Sequence, residues 1–233
     1  MFLLPEKIFT IPINEAFDRY EGCPLCRLRT ALEETTLSYV LGPAMMEPDV
    51  RIKMNETGFC REHSAALRQM KNKLPLALVM QSHLASVDEL YSVPLSRKKK
   101  LFSSSVDSDG GDGLRELSES CFVCSRVRDT ERRYYSNVAY LWDSDEAFRA
   151  KLKKQPYFCV THSAGVLRAA KHELSADKYE TLYAALCELE RARLDEIRAG
   201  IDEFVLSFDH RNADIPLSER ARSAIDDAMA FLK

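Results

Sequence analysis

The sequence predicts an all-α protein built as two related helical repeats. Three observations carry this reading. Apolar residues recur at spacings of three and four, no stretch alternates apolar with polar residues as a half-buried strand would, and one pair of four-residue motifs occurs twice. The pair is Cys23-Pro-Leu-Cys26 with Cys60-Arg-Glu-His63, then Cys121-Phe-Val-Cys124 with Cys159-Val-Thr-His162. The Cys-x-x-Cys element returns after 98 residues and the Cys-x-x-His element after 99. Residues 14–93 then form the first repeat and residues 114–208 the second. Residues 94–113, basic and then rich in serine and glycine, form a linker or exposed loop, and residues 209–233 a C-terminal helical tail.

The helices follow in order. Residues 14–20 read as helix ahead of the first motif. After each Cys-x-x-Cys comes an amphipathic stretch, marked by Leu25, Leu28, Leu32, Thr36 and Val40 in one copy and by Val123, Val127, Tyr134 and Val138 in the other. A shorter helix precedes each Cys-x-x-His, over residues 49–54 and residues 145–154, the second opened by Ser144 as N-cap. Another helix begins at each Cys-x-x-His and runs through Leu67 or through Val166 to Ala170. A fourth closes each copy; in the second, Ser175 caps a run whose stripe is Leu182, Leu186, Leu189, Ile197, Ile201, Phe204 and Phe208. That stripe breaks the strict heptad, so it reads as intramolecular core.

Each motif pair supplies three thiols and one imidazole, the ligand inventory of a closed tetrahedral zinc site. The expectation is two zinc ions per chain, one held by Cys23, Cys26, Cys60 and His63 and the other by Cys121, Cys124, Cys159 and His162. Soft thiolates with a borderline imidazole suit a d10 ion. Competing readings are weaker. Seven cysteines is an odd count for a disulfide framework, since Cys187 stands outside the motifs. A thioredoxin-like centre needs a preceding strand, and it predicts no matching Cys-x-x-His. Iron–sulfur signatures space their cysteines more closely than the 33 and 34 residues between the halves here. Small buried cysteines packed as ordinary core would not repeat at matched offsets.

Helix placement accounts for the motif spacing. With Cys23 at an N-cap and Pro24 at the first helical position, Cys26 falls at the third position and both sulfurs face one point. The same register puts Cys60 at a cap and His63 at the third position. Two helix N-termini converge on each ion, and their unpaired amides stabilise thiolates. Arg27, Arg61 and Arg126 adjoin ligands and offset the formal −1 charge of such a site, or are ordinary surface residues.

Composition is that of a globular protein, 45% apolar and 30% charged in 233 residues. A net charge of −3 gives no global attraction to nucleic acid or to acidic membranes. The four apolar residues before Pro5 are too few for a signal-peptide core, and no run is long enough to span a bilayer. A cytoplasmic location is expected, where free thiols remain available to a metal. His83, His172 and His210 lack partners at ligand spacing, although Asp209, His210 and Arg211 together could line a polar pocket. Trp142 with Tyr134, Tyr135 and Tyr140 reads as packing. No phosphate-binding glycine loop, nucleophile elbow or His-Glu-x-x-His occurs.

Cys-Pro-Leu-Cys at a helix start, Thr57-Gly-Phe-Cys-Arg-Glu-His63, the second Cys-x-x-Cys and Cys-x-x-His, and a late Phe208-Asp-His-Arg-Asn212 together resemble an uncharacterised family of bacterial proteins, grouped as a domain of unknown function. The resemblance spans residues from about Asn14 to the C-terminal helix. It implies a bacterial, cytoplasmic, helical protein with no assigned reaction, and it supplies no catalytic residue.

With four protein ligands on each ion no position is left for a substrate. The expected function is therefore a non-catalytic zinc protein acting as an interaction or scaffold module, with a protein partner. The alternative is a zinc–thiolate redox switch. A hydrolase would need one open site, and a nucleic-acid binder would need a basic face that the charge balance does not supply.

Overall fold

The computed structural model describes residues 7–92, 110–212 and 214–233. Among these it holds eleven α-helices, three short 3-10 turns and no strand. The all-α expectation is met. Contacts divide the chain into two compact units in a nested arrangement: one is residues 31–129, and the other combines residues 1–30 with residues 130–233. The consecutive division at 14–93 and 114–208 therefore does not describe the compact units. The boundaries fall within two long helices, α2 (Pro24–Val40) and α7 (Phe122–Ser144).

In the contiguous inner unit, the end of α2 leads through a 3-10 turn at Pro43–Met46 to α3 (Pro48–Thr57), α4 (Arg61–Gln69), α5 (Lys73–Ser92) and α6 (Gly110–Glu119), and then to the start of α7. Its core gathers Val40, Leu41, Ala44, Met54, Leu67 and Val79 with Cys121, Phe122, Val123 and Val127. Burying such side chains is worth about 1.5–3 kcal/mol each. α3 stops at Gly58, whose φ of +55° a side chain rarely adopts. The Gly58 carbonyl then accepts from the Phe122 amide at 2.9 Å, satisfying one of the orphan donors at the start of α7. Of the expected linker, residues 94–109 lie outside the described residues, and residues 110–113 form the first turn of α6.

The outer unit holds α1 (Thr10–Phe17), the beginning of α2, the end of α7, α8 (Glu146–Lys153), α9 (Val160–Glu173), α10 (Ala176–Leu206) and α11 (Glu219–Phe231). Phe17 anchors its core, with ring centroids 4.9 Å from Phe148 and 5.8 Å from Phe158. Gln155 ties α1 to the segment after α8, donating to the Phe17 carbonyl at 2.7 Å. α10 and α11 pair along the small residues Gly200 and Ala224.

Three local expectations change. The N-cap of α8 is Asp145, which accepts from the Phe148 amide at 3.1 Å, while Ser144 ends α7; the carboxylate at the break outcompetes the hydroxyl one residue earlier. Ser175 does precede α10, but its hydroxyl makes no cap hydrogen bond. Of the α10 stripe, Leu182, Leu186 and Ile197 are buried, Leu189, Ile201 and Phe204 are half-buried, and Phe208, beyond the helix end at Leu206, is 77% exposed.

Candidate metal centres

All four motifs adopt one local geometry. α2 begins at Pro24, α4 at Arg61, α7 at Phe122 and α9 at Val160, each one residue after the first cysteine of its motif. The carbonyls of Cys23, Cys60, Cys121 and Cys159 accept the first helical bond, from Arg27, Ser64, Ser125 and Ser163. Each is thus an N-cap, and Cys26, His63, Cys124 and His162 each stand at the third helical position. The cap and the third position lie on one side of the helix end, so each motif presents two donors in the field of free amides.

The eight side chains gather in two groups of four. One is Cys23, Cys26, Cys159 and His162 in the outer unit; the other is Cys60, His63, Cys121 and Cys124 in the inner unit. In each group all four donor atoms lie within 4.8 Å of one another. The expected partition, Cys23 and Cys26 with Cys60 and His63, and Cys121 and Cys124 with Cys159 and His162, is therefore corrected: each Cys-x-x-Cys joins the Cys-x-x-His of the other copy. Helix length gives the reason. At a 1.5 Å rise per residue, α2 carries the chain about 26 Å from its first turn and α3 recovers at most about 15 Å. For α7 and α8 the corresponding lengths are about 35 and 12 Å.

In the outer quartet, the His162 Nδ1 lies 2.9 Å from the Cys159 Sγ, 3.3 Å from Cys26 and 3.5 Å from Cys23, while the Cys26 and Cys159 sulfurs are 3.6 Å apart. In the inner quartet, the His63 Nδ1 lies 3.1 Å from Cys60 and 3.4 Å from both Cys121 and Cys124, with Cys60 and Cys124 sulfurs 3.9 Å apart. A disulfide needs about 2.05 Å, and all seven cysteines are free thiols.

The outer group is the more enclosed. Cys23, Cys159 and His162 are buried and only Cys26 is partly exposed, whereas in the inner group Cys60 and Cys124 are both partly exposed. Electrostatics follow the crowding. Hydrogen bonds from Cys23 and Cys26 drive the Cys159 thiol far below the ordinary thiol range. Sharing those bonds, and burial, push Cys23 far above it. Burial opposes charge on His162, but its bonds to Cys159, Cys26 and Glu131 outweigh that and raise it to about 11. In the inner quartet, burial works to raise Cys60, but hydrogen bonds led by the His63 amide and Cys121 bring it down to about 7. Burial and the neighbouring Cys121 raise Cys124 to about 12.

The arginines expected near the ligands act elsewhere. Arg27 donates to the Ala16 carbonyl at 2.7 Å, the Arg126 guanidinium lies 4.6 Å from the Tyr39 ring centroid, and Arg61 is exposed. His83 turns its Nδ1 to the Asn55 carbonyl at 3.0 Å. The His210 side chain is 92% exposed beside Asp209, and His172 is exposed. Tyr134 and Trp142 are core, as expected of packing aromatics, with Tyr140 at the surface.

Sequence reasoning misses two carboxylates. Glu33 lies 3.2 Å from the His63 Nε2, and Glu131 lies 3.2 Å from the His162 Nε2. Their signal was available: each falls seven residues after the second cysteine of a Cys-x-x-Cys, two helical turns along the same face.

Among the described residues no helix is long and apolar enough to cross a membrane. No curated protein and no solved structure matches the chain. A family model matches residues 4–233, nearly the whole sequence, so the chain belongs to that family, a family of unknown function (DUF6062).

Proposed function

We propose that each quartet binds one zinc ion and that the protein is a non-catalytic interaction or scaffold module whose two helical units are locked by these ions. The carrying observation is that four protein donors, three sulfurs and one imidazole nitrogen, lie within mutual reach in each group. The spacings fit the ion. With Zn–S of about 2.3 Å and Zn–N of about 2.0 Å, a tetrahedron requires S···N of about 3.5 Å and S···S of about 3.8 Å. The S···N distances of 2.9–3.5 Å and S···S distances of 3.6 and 3.9 Å lie close to that figure and need only a small expansion. An ion with four protein ligands keeps no position for water or substrate, and zinc there contributes folding free energy. A protein partner and a cytoplasmic location, where thiols stay reduced, belong to the same reading.

Elemental analysis of freshly purified protein tests it. Two zinc per chain, a metal-dependent melting temperature and no hydrolytic turnover are expected. Fewer than two tightly held ions, or another metal at that stoichiometry, contradicts it.

One observation favours a second reading, a zinc–thiolate redox switch. Cys60 and Cys124 of the inner quartet are partly exposed with sulfurs 3.9 Å apart. In it, a peroxide takes two electrons from this thiolate pair, a disulfide forms, the peroxide leaves as water and the ion is released. Stoichiometric, thiol-reversible zinc release from folded protein supports the switch. Retention until gross unfolding supports the purely structural role.

A further inference from the structure

Behind each candidate ligand histidine stands one carboxylate, at equivalent positions in the two units. Glu33 Oε1 is 3.2 Å from His63 Nε2, and Glu131 Oε1 is 3.2 Å from His162 Nε2. In each ring the other nitrogen, Nδ1, faces the three sulfurs. An imidazole offering Nδ1 to an ion must carry its proton on Nε2, and an acceptor at Nε2 holds that tautomer and fixes the ring plane.

We propose that Glu33 and Glu131 are the positioning carboxylates of the two metal centres. The inference rests on the quartets binding metal. Each glutamate serves the centre of its histidine, not the centre whose cysteines begin its own helix. Glu33 follows Cys23 and Cys26 along α2 yet orients His63, in the quartet of Cys60, Cys121 and Cys124. Glu131 follows Cys121 and Cys124 along α7 yet orients His162, in the quartet of Cys23, Cys26 and Cys159.

The two carboxylates are not equally held. The Glu131 side chain is 9% exposed and takes Arg29 Nη1 at 3.4 Å on both oxygens. The Glu33 side chain is 33% exposed, and the ion pair it makes is with His63. A carboxylate fixed by an arginine and shielded from water loses less order when it accepts from the imidazole, and competing water reaches it less. The outer centre therefore releases metal more slowly than the inner one.

The test uses full-length, zinc-loaded protein and a chromogenic chelator. Cys60→Ser leaves only the outer centre and Cys159→Ser only the inner one. In the Cys60→Ser background, Glu131→Gln weakens zinc binding about 10–100-fold and Glu33→Gln leaves it unchanged. In the Cys159→Ser background the effects exchange. Arg29→Met speeds release from the outer centre alone. Should either cysteine variant fail to fold, the parent with both sites and all six ligand thiols intact is loaded with cadmium-113. Its two resonances are then read, and each glutamine variant is expected to shift one and leave the other in place.

The glutamine keeps the side-chain volume but replaces the charged acceptor, which strengthens the imidazole as a donor to the ion, with a weaker neutral one, so a role in packing alone leaves affinity and resonances unmoved. That result overturns the proposal, as does Glu33→Gln weakening the centre of Cys23 and Cys26. Parent protein that binds no metal overturns the metal reading itself, which separates the two failures.

Discussion

The sulfurs of Cys26 and Cys159 lie 3.6 Å apart although 133 residues separate them in sequence. This contact closes the outer quartet across the whole length of the inner unit, whose own quartet spans residues 60–124. The two centres are nested along the chain. Loss of one ligand therefore bears on one unit, not on one sequence repeat.

Cys159→Ser is expected to remove one of two zinc ions, counted by elemental analysis. The apparent binding free energy of a structural zinc, about 10–16 kcal/mol, rivals the total stability of a domain, about 5–15 kcal/mol. Proteolysis of this variant should then open segments at both ends of the sequence, residues 7–30, 130–212 and 214–233, while residues 31–92 and 110–129 stay protected. Protection of the N-terminal segment alongside an open C-terminal one contradicts the nested arrangement.

Acid should loosen the inner quartet. Hydrogen bonds that outweigh burial depress the Cys60 thiol from 9.0 to about 7, so its thiolate contributes stability that is present above pH 9 and lost as pH falls through 7. The melting temperature of metal-stripped protein is expected to drop between pH 9 and pH 7, and Cys60→Ser should flatten that dependence. A melting temperature that climbs as pH falls across this window contradicts the assignment. Proton competition for the thiolates acts in the same direction on zinc retention.

Glu190 supports the helix that carries His162. Its Oε1 accepts from the Phe158 amide at 3.0 Å and the Ser163 hydroxyl at 2.8 Å, while its buried Oε2 has no partner. Glu190→Ala should cost about 1–3 kcal/mol by stranding those donors, measured by denaturant unfolding of zinc-loaded protein. Burial raises the Glu190 carboxyl, so its contribution is full below its unfolded pKa and is lost as pH rises through the folded one. Glu190→Gln keeps the acceptor and should melt higher than the parent at neutral pH, with the gain fading toward pH 4. Equal melting at both pH values contradicts this.

Gly58→Ala should destabilise the inner unit by about 1–3 kcal/mol. The residue sits at φ +55°, and a Cβ there would meet His83 Nε2 at 2.9 Å. Adding His83→Ala relieves the contact but not the backbone, so the double variant is expected to recover only part of the loss in thermal melts.

Much of this was legible in the sequence. The motif register at four helix starts follows from Pro24 and from cap-and-third-position geometry, and the helix periodicity of α2, with Leu25, Leu28 and Val40 buried, is core as the spacing implies. The pairing was not legible. Both copies offer the same three sulfurs and one imidazole, so exchanging halves leaves every quartet chemically identical; only helix length and the return path of the chain decide. Glu33 and Glu131 carried a weaker signal: each stands seven residues after a Cys-x-x-Cys and points to the histidine of its own copy, but spacing alone does not show that the imidazole turns its Nε2 toward the carboxylate. The start of α6 at Gly110 escaped because three glycines and three aspartates in residues 107–113 read as a breaker, while the packing of α6 on α5 is a tertiary effect.

Zinc content of two double variants tests the account most directly. Cys26→Ser with Cys159→Ser strikes one centre twice, and Cys26→Ser with Cys60→Ser strikes each centre once. The nested account predicts one zinc per chain in the first and none in the second. One zinc in the second and none in the first would contradict it and restore consecutive pairing.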